Sequence, residues 1–407
     1  MTADDRRALS ARLRWERERR GWSKGTMARR IRDGLPGRQI PDAETVLSYV
    51  KRWEAGKVGM SERYRLAYAE AFEVDEAELF GPEHRHRSAG AMLSGLLSQG
   101  DLTGRIASVT GRHVGVGIVA DLEARVHALR LADDVLAGGD LLTPVFRELD
   151  AAIRLQQETA HSDEVGRSLL SVIGEFAQIA GWVASDAGQY DRAADTYRLG
   201  ISAAREAEDP VLESNLTGSL AYQMANVGDP REAVTLAEGA VAAAGADAPP
   251  RARALAWDRL AWAHVRVHES QAAMGALGNA AEALAEHDGR EDPAYLYWVD
   301  SSELQIMEAR AYTELQRPLR AVPLLLDVLG RYDATHAREL ALYLSWLAIA
   351  LADANEPEEA AAAAGRMLEL SAKVTSQRTA QRARVVLTRL EQYRDVAAVR
   401  ELLIHRE

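Results

Sequence analysis

The 407-residue chain contains no cysteine. Disulfide bonds, thiolate catalysis and cysteine-ligated zinc are excluded together by that absence. Runs of Val, Ile, Thr and aromatic residues of the kind that build strands are nearly missing, while alanine is abundant, which predicts an all-α protein. No uninterrupted apolar run approaches the roughly 18–20 residues that a membrane span requires. The N-terminal stretch MTADDRRALSARLRWERERRG lacks the apolar core of a secretory signal, so the expected location is cytoplasmic, with no membrane partner. HExxH, GxSxG and a glycine-rich nucleotide loop are all missing. The acidic pairs Asp133-Asp134 and Glu358-Glu359 fall in helical or turn patterns and read as solvated. The expectation is a protein that is not an enzyme, with no cofactor and no metal. His84, His86 and His113 read as solvated histidines of a linker rather than converging ligands.

Charge is present but unevenly placed. Net charge is −12 over the whole chain, yet residues 1–65 carry 17 Lys and Arg against 9 Asp and Glu, a surplus of eight. The remainder therefore carries −20, the asymmetry expected if only the head meets nucleic acid.

The head is organised around Ser23 to Gly56. Ser23 suits the N-cap of a helix whose apolar positions Met27, Ala28 and Ile31 recur at three-to-four spacing. Asp42 caps a second helix, with Val46, Leu47, Val50 and Trp53 as its inward stripe and Gly56 at its stop. The connection 32–41 holds two glycines and two prolines and predicts an ordered loop. A basic helix precedes these elements over 5–20; helices at 60–72 and 75–80 follow. The order of a basic helix, a Ser-capped helix, a helix ending Arg52-Trp53-Glu54-Ala55-Gly56 and a closing Glu-Leu-Phe-Gly resembles the phage-repressor-like (Xre) helix–turn–helix domain over residues 5–81. This chain departs from that pattern in its long loop and in Gly25-Thr26, where the family usually has glutamine. The resemblance implies operator DNA as partner, read by a homodimer. Thr45, Ser48, Tyr49, Lys51 and Arg52 would face the major groove, with Ser48, Tyr49 and Arg52 on base edges. Lys24, Arg38, Lys51 and Lys57 would grip phosphates.

Residues 82–117 are linker-like in composition. From 118 onward a helical pattern repeats, with aligned turns at GQYDRAADTY (188–197), GDPREAVTLA (228–237), HESQAAMGAL (268–277), QRPLRAVPLL (316–325) and NEPEEAAAAA (355–364). Small residues recur at Ala193, Ala233, Ala273, Ala321 and Ala360, and in the preceding helix at Gly181, Ala221, Ala261, Ala309 and Ala348. The pattern resembles the tetratricopeptide-like repeat and predicts an α-solenoid of six or seven hairpins over 118–407. The wider layout resembles actinobacterial regulators that couple an Xre-type head to such an array. Counting from the small positions, the first helix of each pair turns Glu175, Gln178, Trp182, Asn215, Tyr222, Asp258, Trp262, Glu303 and Arg310 toward the concave face. Gln178, Trp182, Asn215, Tyr222, Asp258, Trp262 and Arg310 are the candidates for binding a peptide, protein or small-molecule signal. The insert 287–298 is either a lip over the groove or a long loop. Two functions follow: a transcription regulator with a DNA-reading head and a sensing body, or a protein-interaction scaffold that does not bind DNA.

Overall fold

A computed structural model describes residues 22–35, 41–55, 60–72, 114–134, 138–286, 291–331, 337–372 and 376–404, with isolated positions between 9 and 20 and at 74, 79 and 136. Arg38, Lys57, the three linker histidines, most of 82–117 and most of the predicted 75–80 helix lie outside the described residues. The chain is all-α, with no β-strand among the described residues. It divides into two compact units, one within residues 1–91 and the other formed by 92–332 with 336–407.

The first unit is a helix–turn–helix bundle. Helices α1 (Lys24–Asp33), α2 (Ala43–Trp53) and α3 (Glu62–Phe72) follow a segment whose described residues Leu9, Ser10, Leu13, Arg14, Glu16 and Arg17 are helical. Both predicted caps form. Ser23 Oγ accepts from the Thr26 amide at 3.0 Å, and Asp42 Oδ1 accepts from the Thr45 amide at 2.7 Å. The core joins Leu13, Met27, Ile31, Val46, Val50, Trp53, Tyr68 and Phe72.

The second unit is an α-solenoid of tetratricopeptide-like hairpins. Its helices are α4 (Val116–Asp133), α5 (Gly138–Glu158), α6 (Asp163–Asp186), α7 (Tyr190–Glu206), α8 (Pro210–Val227), α9 (Pro230–Ala244), α10 (Pro250–Arg266) and α11 (Ser270–Ala285). They continue as α12 (Ser301–Glu314), α13 (Pro318–Arg331), α14 (Ala337–Asp353), α15 (Pro357–Ser371), α16 (Gln377–Leu390) and α17 (Ala397–Ile404). Each first helix packs on the first helix of the next hairpin, whereas among the second helices only α15 and α17 pack substantially on each other. The first helices therefore form the inner layer. Inside four hairpins the turn places one residue in the left-handed region: Gly188, His268, Gln316 and Asn355, with φ of 78°, 60°, 55° and 63°. These are four of the five aligned turn positions; Gly228 takes a different conformation, with φ −117°. One geometry thus recurs under four different residue types, which is why residue identity alone understates the repeat.

The small positions are spacers. Ala193, Ala221, Ala233, Ala273, Ala309, Ala321, Ala348 and Ala360 are fully buried. At Gly181 a Cβ would meet ring carbons of the buried Tyr197 at 2.5–2.8 Å. Gly181→Ala gains about 1 kcal/mol in helix propensity but overpacks the hairpin at a cost of about 1–3 kcal/mol. A net loss of array stability is expected in urea unfolding; a net gain would show that Tyr197 swings aside freely.

Helix α6 departs from the membrane expectation drawn above, being long and apolar enough to cross a bilayer by length and composition. In this fold it is a core helix, with Phe176, Ala177, Ala180 and Val183 fully buried among its neighbours.

The Asp133-Asp134 pair also corrects its sequence reading as a solvated acid pair. Both Asp133 oxygens accept from the buried Arg338 of α14 at 3.0 Å, across 205 residues. Asp186, at the end of α6, accepts from Ser376 at 3.0 Å and faces Arg338 at 3.6 Å and Arg378 at 3.5 Å. Gln381 of α16 donates to the Tyr190 hydroxyl at 2.9 Å. Tyr297, in the insert between α11 and α12, donates to Asp134 at 2.6 Å. Burial pushes the Asp134 carboxyl up to about 7, although this bond opposes the shift. The first two hairpins are thus bonded to the last two, and the array closes on itself.

Candidate functional site

On the head, α2 ends in a buried support. Glu54 accepts from Arg17 Nε at 2.7 Å and Nη2 at 2.9 Å, and its backbone carbonyl accepts from Arg14 at 2.8 Å. Trp53 packs on Tyr64 and Tyr68, with ring centroids 4.8 and 5.9 Å away. The Trp-Glu pair that ends the helix is therefore its foundation. Ser48, Lys51 and Arg52 lie exposed on the outer side of the same helix, at spacings of three and four that put them on one face. Among the described residues Arg52 makes no ion pair. The carboxylate of Glu54 is already engaged by Arg17, with Lys24 Nζ at 3.8 Å.

The other predicted DNA residues are placed less freely. Tyr49 is half-buried, with its ring 5.4 Å from Trp53 and 5.6 Å from Tyr64, so it supports the face. Thr45 donates its hydroxyl to Asp42 at 3.1 Å and belongs to the cap.

In the array, four of the predicted groove residues, Trp182, Tyr222, Trp262 and Arg310, belong to one continuous ladder. Trp182, Tyr222 and Trp262 follow one another on α6, α8 and α10, with centroids 6.1 and 6.3 Å apart, and Trp346 of α14 meets Trp262 edge-on at 5.8 Å. Guanidinium groups lie against each ring: Arg378 is 4.9 Å from Trp182, Arg259 is 4.5 Å from Tyr222, Arg310 is 4.5 Å from Trp262, and Arg382 is 3.6 Å from Trp346. Arg310 also donates to the Tyr222 hydroxyl at 2.7 Å. Burial would raise the Tyr222 hydroxyl, yet Arg310, Arg378 and Arg259 together hold it below its ordinary value.

Asp258 is buried beside Arg259, 3.5 Å away, and Glu303 accepts from Tyr343 at 2.6 Å; burial raises both carboxyls. Asn215 lines a small cavity with Ser214, Gly218, Leu255, Arg259 and Leu296. Gln178 is half-buried on α6. Sequence reasoning missed Arg259, Trp346, Arg378 and Arg382. The last two carry a signal, an i, i+4 arginine pair on α16, but nothing local places the final hairpin at the groove.

No family model matches the chain, and no curated protein matches it by sequence. Among solved structures, it is similar to Bacillus thuringiensis PlcR in complex with the peptide PapR7 and DNA, at 11% identity and a TM-score of 0.33, covering 82% of this chain and 98% of that one. A likeness of this size carries no argument about function.

Proposed function

We propose that this protein is a cytoplasmic DNA-binding transcription regulator of the Xre type, without catalytic activity. Its head, residues 1–81, reads operator DNA as part of a homodimer, and its array, residues 118–407, senses a peptide, protein or small-molecule signal. One observation carries the reading: α2 presents Ser48, Lys51 and Arg52 as one exposed face while Trp53 and Glu54 anchor the opposite side. A rigidly based helix with exposed donors is what the major groove admits, and arginine there reads guanine. The surplus of positive charge in residues 1–65 supplies the phosphate term.

The test is genome-wide recovery of DNA bound to the tagged full-length protein, beside Arg52→Ala and Lys51→Ala. Sharp peaks sharing an inverted repeat are expected. Arg52→Ala should lose about 1–3 kcal/mol of operator affinity and relax sequence preference, whereas Lys51→Ala should weaken all sequences alike. A flat profile for the unmodified protein would transfer the head to the scaffold function.

A further inference from the structure

The arginines of the ladder are not equally neutralised. Arg338 and Arg378 face Asp186, and Arg259 lies beside Asp258. Arg310 and Arg382 have no carboxylate within ion-pair distance among the described residues. Their hydrogen-bond partners are hydroxyls: Tyr222 for Arg310, and Ser345, 3.1 Å from Arg382 Nε. Arg310 Nε and Arg382 Nη2 are enclosed and make no hydrogen bond, so each guanidinium retains an unused donor. Both lie against one ring, 5.4 and 3.6 Å from the centroid of Trp346.

An enclosed donor without an acceptor is costly, and an enclosed charge without a counter-ion more so. Burial pushes Arg382 down to about 10, the direction expected of a cation short of compensation. Arg310 is the better compensated of the two: burial lowers it, yet Tyr222, Asp258 and Glu303 hold it above its ordinary value, so the shortfall falls mainly on Arg382. Both arginines remain partly open to solvent at the residue level, so a ligand group has a way in.

We infer that the inner face of the array holds an oxyanion site between Arg310 of α12 and Arg382 of α16, floored by Trp346, which receives a carboxylate or phosphate group of the sensed ligand. Guanidinium donors match the geometry of either group. The site joins the fifth hairpin to the seventh, beside the bonds that close the array, so occupancy bears on closure. The inference deepens the sensor reading and rests on it for biological meaning, while the anion site itself stands on the placement of the two arginines.

The test uses the full-length protein in chloride buffer at constant ionic strength, titrated separately with inorganic phosphate and with acetate while tryptophan fluorescence is followed. Saturable binding of at least one anion is expected, weakened tenfold or more by Arg382→Gln and by Arg310→Gln. The arm that binds more tightly identifies the headgroup class. Without either anion, Arg382→Gln should unfold at the same temperature as the unmodified protein or higher, because it removes an uncompensated charge; a purely structural arginine would give a lower midpoint. Absence of saturable binding by both anions, or binding unchanged in both variants, would overturn the site. Should Arg382→Gln fail to fold, Arg310→Gln decides by the same criterion. Operator retention is measured in parallel. Anion binding that leaves retention unchanged keeps the site and removes its link to regulation, and a protein that retains no DNA loses the regulator reading alone.

Discussion

Arg338→Met is expected to destabilise the helical array by about 3–5 kcal/mol, the range for removing one partner of a buried ion pair. Methionine replaces much of the arginine stem, so the loss is electrostatic rather than a cavity. It leaves Asp133 without its two 3.0 Å bonds and deprives Asp186 of a neighbour at 3.6 Å, with all three residues nearly inaccessible to water. The Arg338 bonds to the Asp133 carbonyl (2.8 Å) and the Leu136 carbonyl (3.2 Å) go as well. The pH dependence has a fixed sign. Burial already raises the Asp133 carboxyl, and loss of the arginine raises it further. Between the unfolded carboxylate value, about 3.9, and that raised folded value, the folded state holds a proton the unfolded chain has released, so stability falls as pH rises. The deficit of Arg338→Met should therefore be smaller at pH 5 than at pH 7.5 in urea unfolding that follows the array. A deficit below about 1 kcal/mol at both values would mean the closing bonds add nothing beyond hairpin packing.

These closing bonds also mark where the sequence stopped being legible. The helices were readable because their causes are local: Ser23 and Asp42 cap as predicted, and the alanine positions are buried at the aligned turns. The groove was half readable. A residue one place after the small position faces inward whatever the neighbouring hairpin does, which found Trp182, Tyr222, Trp262 and Arg310. Trp346 and Arg382 reach the same ladder only because the superhelix brings hairpins six and seven round to hairpins four and five, and pitch is not encoded in any one repeat. The Asp133-Asp134 pair misled for the same reason. An acid pair at a helix end is solvated unless something distant covers it, and here the cover is Arg338, 205 residues away. Tyr49 misled differently. An aromatic on a polar face can turn sideways onto the core, and Trp53 and Tyr64 offer it one.

Glu54→Ala should abolish operator binding without touching a residue proposed to contact DNA. Its side chain is 1% exposed and takes two hydrogen bonds from Arg17, whose own side chain is 6% exposed. Removing the carboxylate breaks a buried ion pair and both of its hydrogen bonds to Arg17, at a cost of about 3–5 kcal/mol. The head is a small unit, and a domain of its size commands roughly 0.05–0.15 kcal/mol per residue, so such a loss consumes most of its stability while the array is unaffected. Calorimetry of the full chain should show the head transition shifted far down or gone and the array transition in place. The double variant Arg17→Met with Glu54→Leu separates support from contact. Replacing both members of a buried pair by apolar residues of similar size is often neutral or stabilising, so the double variant should refold the head and regain operator binding. Adding Arg52→Ala to that background should weaken the regained affinity by about 1–3 kcal/mol, as it does in the unmodified protein. If the double variant folds but binds no operator, Glu54 or Arg17 does more than hold α2 in place, and the division between a buried base and an exposed reading face is wrong.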